Sequence, residues 1–277
     1  MPRFQTLSAP LLRTLSEATG LDGSEVPPSL CRGVVALSRR FTRGSHARVT
    51  DYLADDGLRL AYLAYYLPVS LAKVQALLAE MPAHPDASGS PLRPFSVLDL
   101  GCGPGTATLG ALDWILRNPS LARLAVEVVA VDRSASGLRE CKRLWKIYTR
   151  AAPVSESRLL PVRADLERLG QGGQPKIGQH APYDLIVAAN TLTELFLTSR
   201  DPISRRAKLV RALLDLLHRE ERGLVPRGTS LDTTAARGRD RPAGRVHQGC
   251  PEVLLSAPPE GRPDHRAAGL HRLSGRE

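Results

Sequence analysis

Cysteine is scarce. The 277 residues hold four thiols, Cys31, Cys102, Cys141 and Cys250, far apart and with no CxxC pair. A disulfide framework is excluded, and a reducing cytoplasm is the expected compartment. Long apolar runs are missing as well: nothing approaches the roughly 18 residues that a membrane-spanning helix needs. Residues 1–20 lack a continuous apolar core, so no secretory leader is expected. Acidic charge is in deficit, 28 Asp and Glu against 38 Lys and Arg, a formal net charge of +10. Such a surplus points to a polyanionic partner and says nothing of fold. The last 52 residues lack most: no Lys, Phe, Tyr, Trp, Ile or Met among nine Arg, seven Gly and six Pro. A segment of that make-up buries too little apolar surface to offset its ordering entropy. It is read as a disordered tail, with the folded protein ending near Val225.

What is present divides the chain into three. Residues 1–90 read as a helical region, with Phe4, Leu7, Leu11 and Leu15 at helical spacing. The Leu/Ala/Tyr-rich stretch from Leu58 to Met81 is split by Pro68, which predicts a break between two helices. Residues 91–225 alternate strand and helix. Strands are expected at Ser96 to Leu100, Val126 to Val131, Leu159 to Val162 and Tyr183 to Ala189. Helices are expected at Thr106 to Arg117, Ser136 to Arg150 and Pro202 to His218. Gly223-Leu224-Val225 looks like the start of a fifth strand. This order implies an α/β fold with a doubly wound, Rossmann-like parallel sheet. Residues 226–277 form the tail, so the C-terminal strands of such a sheet are expected to be missing.

The chemistry concentrates at Asp99-Leu100-Gly101-Cys102-Gly103-Pro104-Gly105-Thr106, where a buried strand meets three alternate glycines and then a helix. Glycines allow sharp turns and close approach to a ligand, and the helix start offers free N–H groups. A dinucleotide loop would read GxGxxG. Counted from Gly101 or Gly103 the sixth position is Thr106 or Thr108, which argues against a nicotinamide cofactor. A carboxylate at Asp99 suits a ligand carrying an ammonium and a sulfonium and would repel a pyrophosphate.

Asp99-x-Gly-x-Gly-x-Gly resembles motif I of the class I S-adenosylmethionine-dependent methyltransferases. The resemblance implies that Asp99, Gly101, Cys102, Gly103 and Gly105 bind S-adenosyl-L-methionine. It further implies that Asp132, ending the second strand, accepts hydrogen bonds from the ribose hydroxyls, and that Asp165, after the third, meets the adenine amine. The acceptor is less defined, because the tetrapeptide Asp/Asn-Pro-Pro-aromatic is absent after the fourth strand. Cys102 and Cys141 are not placed to act as nucleophiles. Asn190 is a candidate for cofactor or substrate contact and Glu194 for a catalytic base. The alternative makes Asn190 the N-cap of the next helix, with Glu194 in its first turn. No metal site is expected from the residue pattern.

Arg139, Lys142, Arg143, Lys146 and Arg150 recur in steps of three and four, so one helix carries a cationic stripe. With Arg205, Arg206, Lys208 and Arg211 on a second helix and the Arg39 to Arg48 stretch, they are candidates for RNA phosphate contacts. A solvated helix face is the competing reading. The succession Phe41-Thr42-Arg43, Tyr52-Leu53, Leu60-Ala61-Tyr62-Leu63, Leu67-Pro68, the glycine loop and Leu192-Thr193-Glu194-Leu195 is similar to the methyltransferase-like proteins of the mitochondrial small ribosomal subunit and their bacterial relatives. That resemblance implies association with the small subunit or its rRNA and a role in translation or ribosome assembly. A non-catalytic RNA-binding assembly factor that retains the fold, and a small-molecule methyltransferase, are the alternatives. The family continues with further strands and a cysteine-rich segment proposed to hold an iron–sulfur cluster. Here only His247-Gln248-Gly249-Cys250-Pro251 is similar, and one Cys cannot hold a cluster that takes about four thiolates, so the cluster is expected to be lost. The abrupt change of composition leads to the hypothesis of a frameshift near codon 225.

Overall fold

The computed structural model describes residues 7–21, 25–42, 51–81, 94–119, 121–122, 124–152, 156–169 and 176–217, and the backbone of 253–256. At its centre lies a sheet of order β3-β2-β1-β4-β5. The strands are β1 Phe95–Leu100, β2 Val126–Asp132, β3 Ser157–Arg163, β4 Leu185–Ala188 and β5 Val253–Ser256. The first four are parallel, with Phe95 beside Val126 and Val97 beside Leu185. The expected α/β Rossmann-like sheet is therefore present.

The four middle strand positions obey a two-residue period while being apolar on both sides, as a sheet covered on both faces requires. Val126 and Val128 join Phe95, Val97, Leu185 and Val187 in one core layer. Val129 and Val131 join Leu98, Leu100, Ile186 and Ala188 in the other. The first layer is roofed by α1 Ala9–Thr19, α4 Leu67–Glu80, α5 Thr106–Arg117 and α6 Ala135–Ala151. The second is roofed by α7 Pro202–Leu214 and by short 3-10 turns at Leu166–Arg168 and Lys176–His180. A further pair, α2 Pro28–Thr42 and α3 Asp56–Ala61, packs beside the first layer through Leu30, Leu37 and Ala61. Each fully buried Val or Leu stabilises the fold by about 1.5–3 kcal/mol.

Two expectations are corrected. Pro68 does not break the helix into two. It sits in the first turn of α4, and the chain from α3 runs on through a π-helical turn, Tyr62–Tyr66, in which the Leu67 amide bonds the Tyr62 carbonyl. One extra residue in the turn absorbs the amide that proline lacks. The second concerns the C-terminal part. The sheet does not stop at β4, because β5, from within the segment read as structureless, pairs antiparallel with it, Val253 opposite Ala188 and Ser256 opposite Leu185. Val253-Leu254-Leu255 is the longest apolar run of that segment, and an open strand edge favours any such run that can reach it. The Gly223-Leu224-Val225 strand, the frameshift and Cys250 lie outside the described residues.

Candidate active site at the switch point of the sheet

Strand order reverses between β1 and β4, and in open α/β sheets ligands bind at that crevice, beyond the carboxyl ends of the strands. The glycine loop lies there. Gly101 and Cys102 both donate backbone N–H groups to the Val131 carbonyl, at 2.8 and 3.0 Å, and the Gly105 amide bonds the Cys102 carbonyl at 2.8 Å. All three glycines have positive φ: 69°, 50° and 95° for Gly101, Gly103 and Gly105. Their roles differ. A Cβ on Gly101 would lie 2.3 Å from Thr191 Oγ1, and one on Gly105 would lie 2.8 Å from Cys141 Sγ, whereas one on Gly103 would meet nothing within 4 Å. Gly101 and Gly105 are thus required by packing, and Gly103 is the one whose bare backbone faces open space.

Asp99 is 1% exposed. Its Oδ2 accepts the Thr108 amide at 2.8 Å and the Thr108 hydroxyl at 2.7 Å, which fixes the start of α5 to the end of β1. Its Oδ1 is buried without a hydrogen-bond partner among the described residues. Burial pushes Asp99 up to about 7, the Thr108 hydrogen bonds opposing and the Asp132 charge adding to the rise. A buried carboxylate oxygen with no donor is costly, and here it stands one residue before the loop a cofactor would occupy.

Asp132 uses both oxygens inside the protein. Oδ2 accepts the Gly103 amide at 2.8 Å and Oδ1 the Ser134 amide at 2.7 Å. Its first duty is to tie the loop to the end of β2, and each oxygen keeps a further lone pair for a hydroxyl donor. Burial raises its pKa against those two amides, with Arg133 lowering and Asp51 raising it. Cys102 contributes backbone alone: its side chain packs with Ala130, Leu138 and Cys141 in a small core. The thiol is pushed well up, first by its hydrogen bond with Cys141 and then by burial, so it is no nucleophile.

Asp165 follows the end of β3. Its exposed side chain caps the 3-10 turn that follows, accepting the Glu167 amide at 3.0 Å, and it lies 3.6 Å from Arg168. Asn190 is not an N-cap. It takes a left-handed conformation, φ 54°, and the next element is a 3-10 turn, Leu192–Glu194, preceded by Thr191 and lacking a side-chain cap. Asparagine tolerates that conformation because its short side chain bonds locally. Thr191 instead anchors the loop, donating to the Leu100 and Ala189 carbonyls at 2.9 and 3.0 Å. Glu194 is exposed, with its pKa raised by partial burial, lowered by Arg133 and raised again by Asp132.

Three residues with no assigned role also reach the site. Asp51 accepts a short hydrogen bond from the Ser136 hydroxyl at the start of α6. Burial opposes its charge, but hydrogen bonds from Ser136 and Ser134 outweigh it and hold the carboxyl below its usual value. Tyr62, in the π turn, is pushed up to about 12 by burial, with Thr106 beside it and Glu194, Asp132 and Asp99 within electrostatic reach. Tyr52 is raised well above its usual value by burial and by Tyr62, Glu194, Asp132 and Asp51. The helical region therefore supplies part of the site. In the sequence, Tyr52 and Tyr62 were visible as members of the resemblance and without a chemical part to play.

The cationic stripe on α6 is broken up. Arg143 grips Glu140, its Nη2 2.6 Å from Oε1, and bonds the Ala18 carbonyl, and Arg150 pairs with Glu17 at 2.7 Å, so both tie α6 to the α1 end. Arg139, Lys142 and Lys146 remain exposed with no ion pair among the described residues. On α7, Arg206 holds the Thr193 and Leu195 carbonyls and Arg205 lies 4.5 Å over the Phe196 ring. Among the described residues, no group of three or more His, Cys, Asp or Glu is placed to hold a metal. No helix there is long and apolar enough to cross a membrane.

No family model matches the chain, and no curated protein does. Solved structures that resemble it include an arsenic(III) S-adenosylmethionine methyltransferase from Chlamydomonas reinhardtii, 20% identical with a TM-score of 0.31 over 52% of this chain and 44% of that one. Another is an O-methyltransferase family protein from Burkholderia thailandensis, 14% identical with a TM-score of 0.35 over 67% and 65%. A third is a putative RNA methyltransferase from Pyrococcus horikoshii, 13% identical with a TM-score of 0.22 over 59% of this chain and 73% of that one. The match spans less than half of the algal enzyme's length.

Proposed function

We propose that this chain is an S-adenosylmethionine-dependent methyltransferase-like protein that works at the small ribosomal subunit. The observation that carries the cofactor is the conjunction at the switch point: the unpartnered Asp99 Oδ1 beside a glycine loop whose Gly103 faces open space. When bound, S-adenosylmethionine supplies a methyl group made electrophilic by its sulfonium. Asp99 Oδ1 is suited to accept a hydrogen bond from the ligand ammonium, which would also favour the charged carboxylate. The bare backbone at Gly103 admits the amino-acid portion, and Asp132 keeps lone pairs for the ribose hydroxyls.

Calorimetry with S-adenosylmethionine tests this. Wild type should bind, and Asp99→Ala should weaken binding at least tenfold, since it removes the only charged partner for the ammonium that the loop offers. A folded wild type that does not bind would overturn the cofactor assignment.

The ribosomal part is supported by the helical lead-in, whose succession of residues resembles the small-subunit proteins, and by the exposed Arg139, Lys142 and Lys146. Phosphate contacts make affinity fall steeply with salt. Replacing those three residues by Ala should lower the salt dependence of binding to small subunits by about two to three ion equivalents. A salt-independent association would count against it.

A further inference from the structure

Resting on the cofactor reading, we infer that Asp51 is a positioning residue for S-adenosylmethionine, and that docking of the helical lead-in is coupled through it to cofactor binding. A chain of hydrogen bonds runs from this carboxylate to the glycine loop, and its first link alone spans 85 residues of sequence.

The relay can be followed proton by proton. Buried Ser136 gives its hydroxyl proton to Asp51. Ser134 Oγ lies 3.3 Å from Ser136 Oγ. A hydroxyl has one proton, and that of Ser136 is spent on the carboxylate, so the proton between the two serines comes from Ser134. Ser134 Oγ then accepts the Gly137 amide at 2.8 Å and caps α6. The Ser134 amide donates to Asp132 Oδ1 at 2.7 Å, and Asp132 Oδ2 accepts the Gly103 amide at 2.8 Å. Each group is oriented by the one before it. Taking away the acceptor at Asp51 frees both serine hydroxyls, loosens the cap residue whose backbone aims Asp132, and so releases Gly103, the glycine that faces open space.

Packing holds both ends of this chain. At the near end, Arg59 of α3 bonds the Leu53 carbonyl at 3.2 Å and lies 3.9 Å from Glu140, about one turn beyond Ser136 on α6. That pins the turn Tyr52–Ala54, which follows Asp51, over the start of α6. A row of aromatic rings backs it: Phe41 edge-on to Tyr52 at 5.6 Å, Tyr52 tilted on Tyr62 at 5.7 Å, and Tyr62 stacked on Tyr66 at 5.9 Å. At the far end backbone meets backbone. A Cβ on Gly137 would lie 3.2 Å from the Gly103 carbonyl oxygen, so α6 and the loop touch with no side chain between them.

Coupling of this kind is reciprocal. Whatever the docked lead-in adds to cofactor affinity, bound cofactor returns to the docking. Lifting the lead-in from α6 should therefore release S-adenosylmethionine.

Calorimetry with S-adenosylmethionine on the full chain tests the relay. Asp51→Ala should weaken binding at least fivefold, within the usual range of such couplings. Asp51→Asn, whose amide oxygen still accepts from Ser136, should lose less than threefold. Ser136→Ala cuts the same bond from the α6 side, and the double variant should cost no more than either single one, because both interrupt one path. Asp56→Ala, in the same lead-in but 88% exposed, should stay within twofold. Equal affinity in wild type and Asp51→Ala, an equal loss in Asp51→Asn and Asp51→Ala, or additive losses in the double variant would each overturn the proposal. A second measurement needs no cofactor: amide hydrogen exchange read by NMR. Asp51→Ala should speed exchange at Gly103 and Ser134 at least fivefold and leave the amides of α4 unchanged. Faster exchange along the whole chain would show a general loss of stability and reject the relay. If folded wild type binds no S-adenosylmethionine, the methyltransferase reading fails and the coupling falls with it, whatever the exchange rates show.

Discussion

On the face of the sheet covered by α1, α4, α5 and α6, one buried carboxylate ties four helices together, whereas on the face covered by α7 and short turns the ties run through backbone. Asp113, 1% exposed, accepts hydrogen bonds from Ser8, from Gln75 at 2.5 Å and from Tyr148 at 2.9 Å, and pairs with Arg117 at 2.9 Å. These partners come from the lead into α1, from α4, from α6 and from α5 itself. On the opposite face, Glu167 accepts the Phe196 amide at 2.6 Å, and Arg206 holds two loop carbonyls. Phe196 keeps φ 60° there, a left-handed conformation that aromatic residues rarely adopt. Beside it opens a cavity of about 460 Å³ between Leu169, Ile177, Phe196 and Leu213. One face is locked by side chains and the other is held by its loops, which teaches where mutation should cost most.

The largest effect is expected at the lock. Asp113→Ala leaves the buried Gln75 and Tyr148 donors without an acceptor, while the Arg117 side chain, 40% exposed, regains water. At about 1–3 kcal/mol for each buried unpaired donor the loss is about 2–5 kcal/mol. Urea denaturation should read it, and a loss under about 1 kcal/mol would erase the distinction between the faces. Next comes the pH dependence at Asp99, on the same face. Burial pushes its pKa in the folded protein up to about 7, well above the usual 3.8 of an aspartate. The folded protein therefore keeps the proton longer, and this contribution to stability is full below about pH 4 and lost as pH rises through about 7. The ligand-free protein should lose on the order of 2–3 kcal/mol between pH 5 and 8. Asp99→Asn should flatten that slope in thermal melts, and bound cofactor should do the same by partnering the carboxylate. The smallest change is expected on the loop-held face. Glu167→Ala removes one charge-assisted bond to a backbone amide, about 1.5–3 kcal/mol at most and less where water reaches the half-buried site. A loss equal to that of Asp113→Ala would show the two faces to be locked alike.

Much of the sheet and the loop was legible because it is local. Val126 to Val131 is a valine-rich run ending at Asp132, Thr106 follows three spaced glycines, and these patterns need no distant partner to be read. The roles of Tyr52, Tyr62 and Asp51 were not legible, because they depend on a helical layer meeting residues far along the chain, Asp51 bonding Ser136 across 85 residues. Asn190 was open to two readings, a cofactor or substrate contact and the N-cap of the next helix. The cap reading fails because the backbone turns left-handed at Asn190, which brings Thr191 against Gly101 and the Leu100 carbonyl. Pro68 was read as a break because periodicity has no symbol for an extra residue within a helix. The strand at Val253–Ser256 was hidden by averaging: a composition that argues against order over 52 residues conceals one short apolar run. At Asp165 and along α6 the sequence marks the residues but not their partners, Glu167 and Arg168 for the first and Glu140 and Glu17 for Arg143 and Arg150.

The π turn at Tyr62–Tyr66 acts as a phase shifter. An α-helix advances about 100° per residue, so removing Ala64 alone would rotate everything before it by that angle relative to α4. Tyr62 would swing away from the glycine loop, and α3 and Tyr52 would follow it, while α4 stayed packed on α5. The alignment of the aromatic row with the loop is thus encoded in the count of residues along one helix as much as in their identity. A one-residue deletion could silence the site in a protein whose every other contact remained in place.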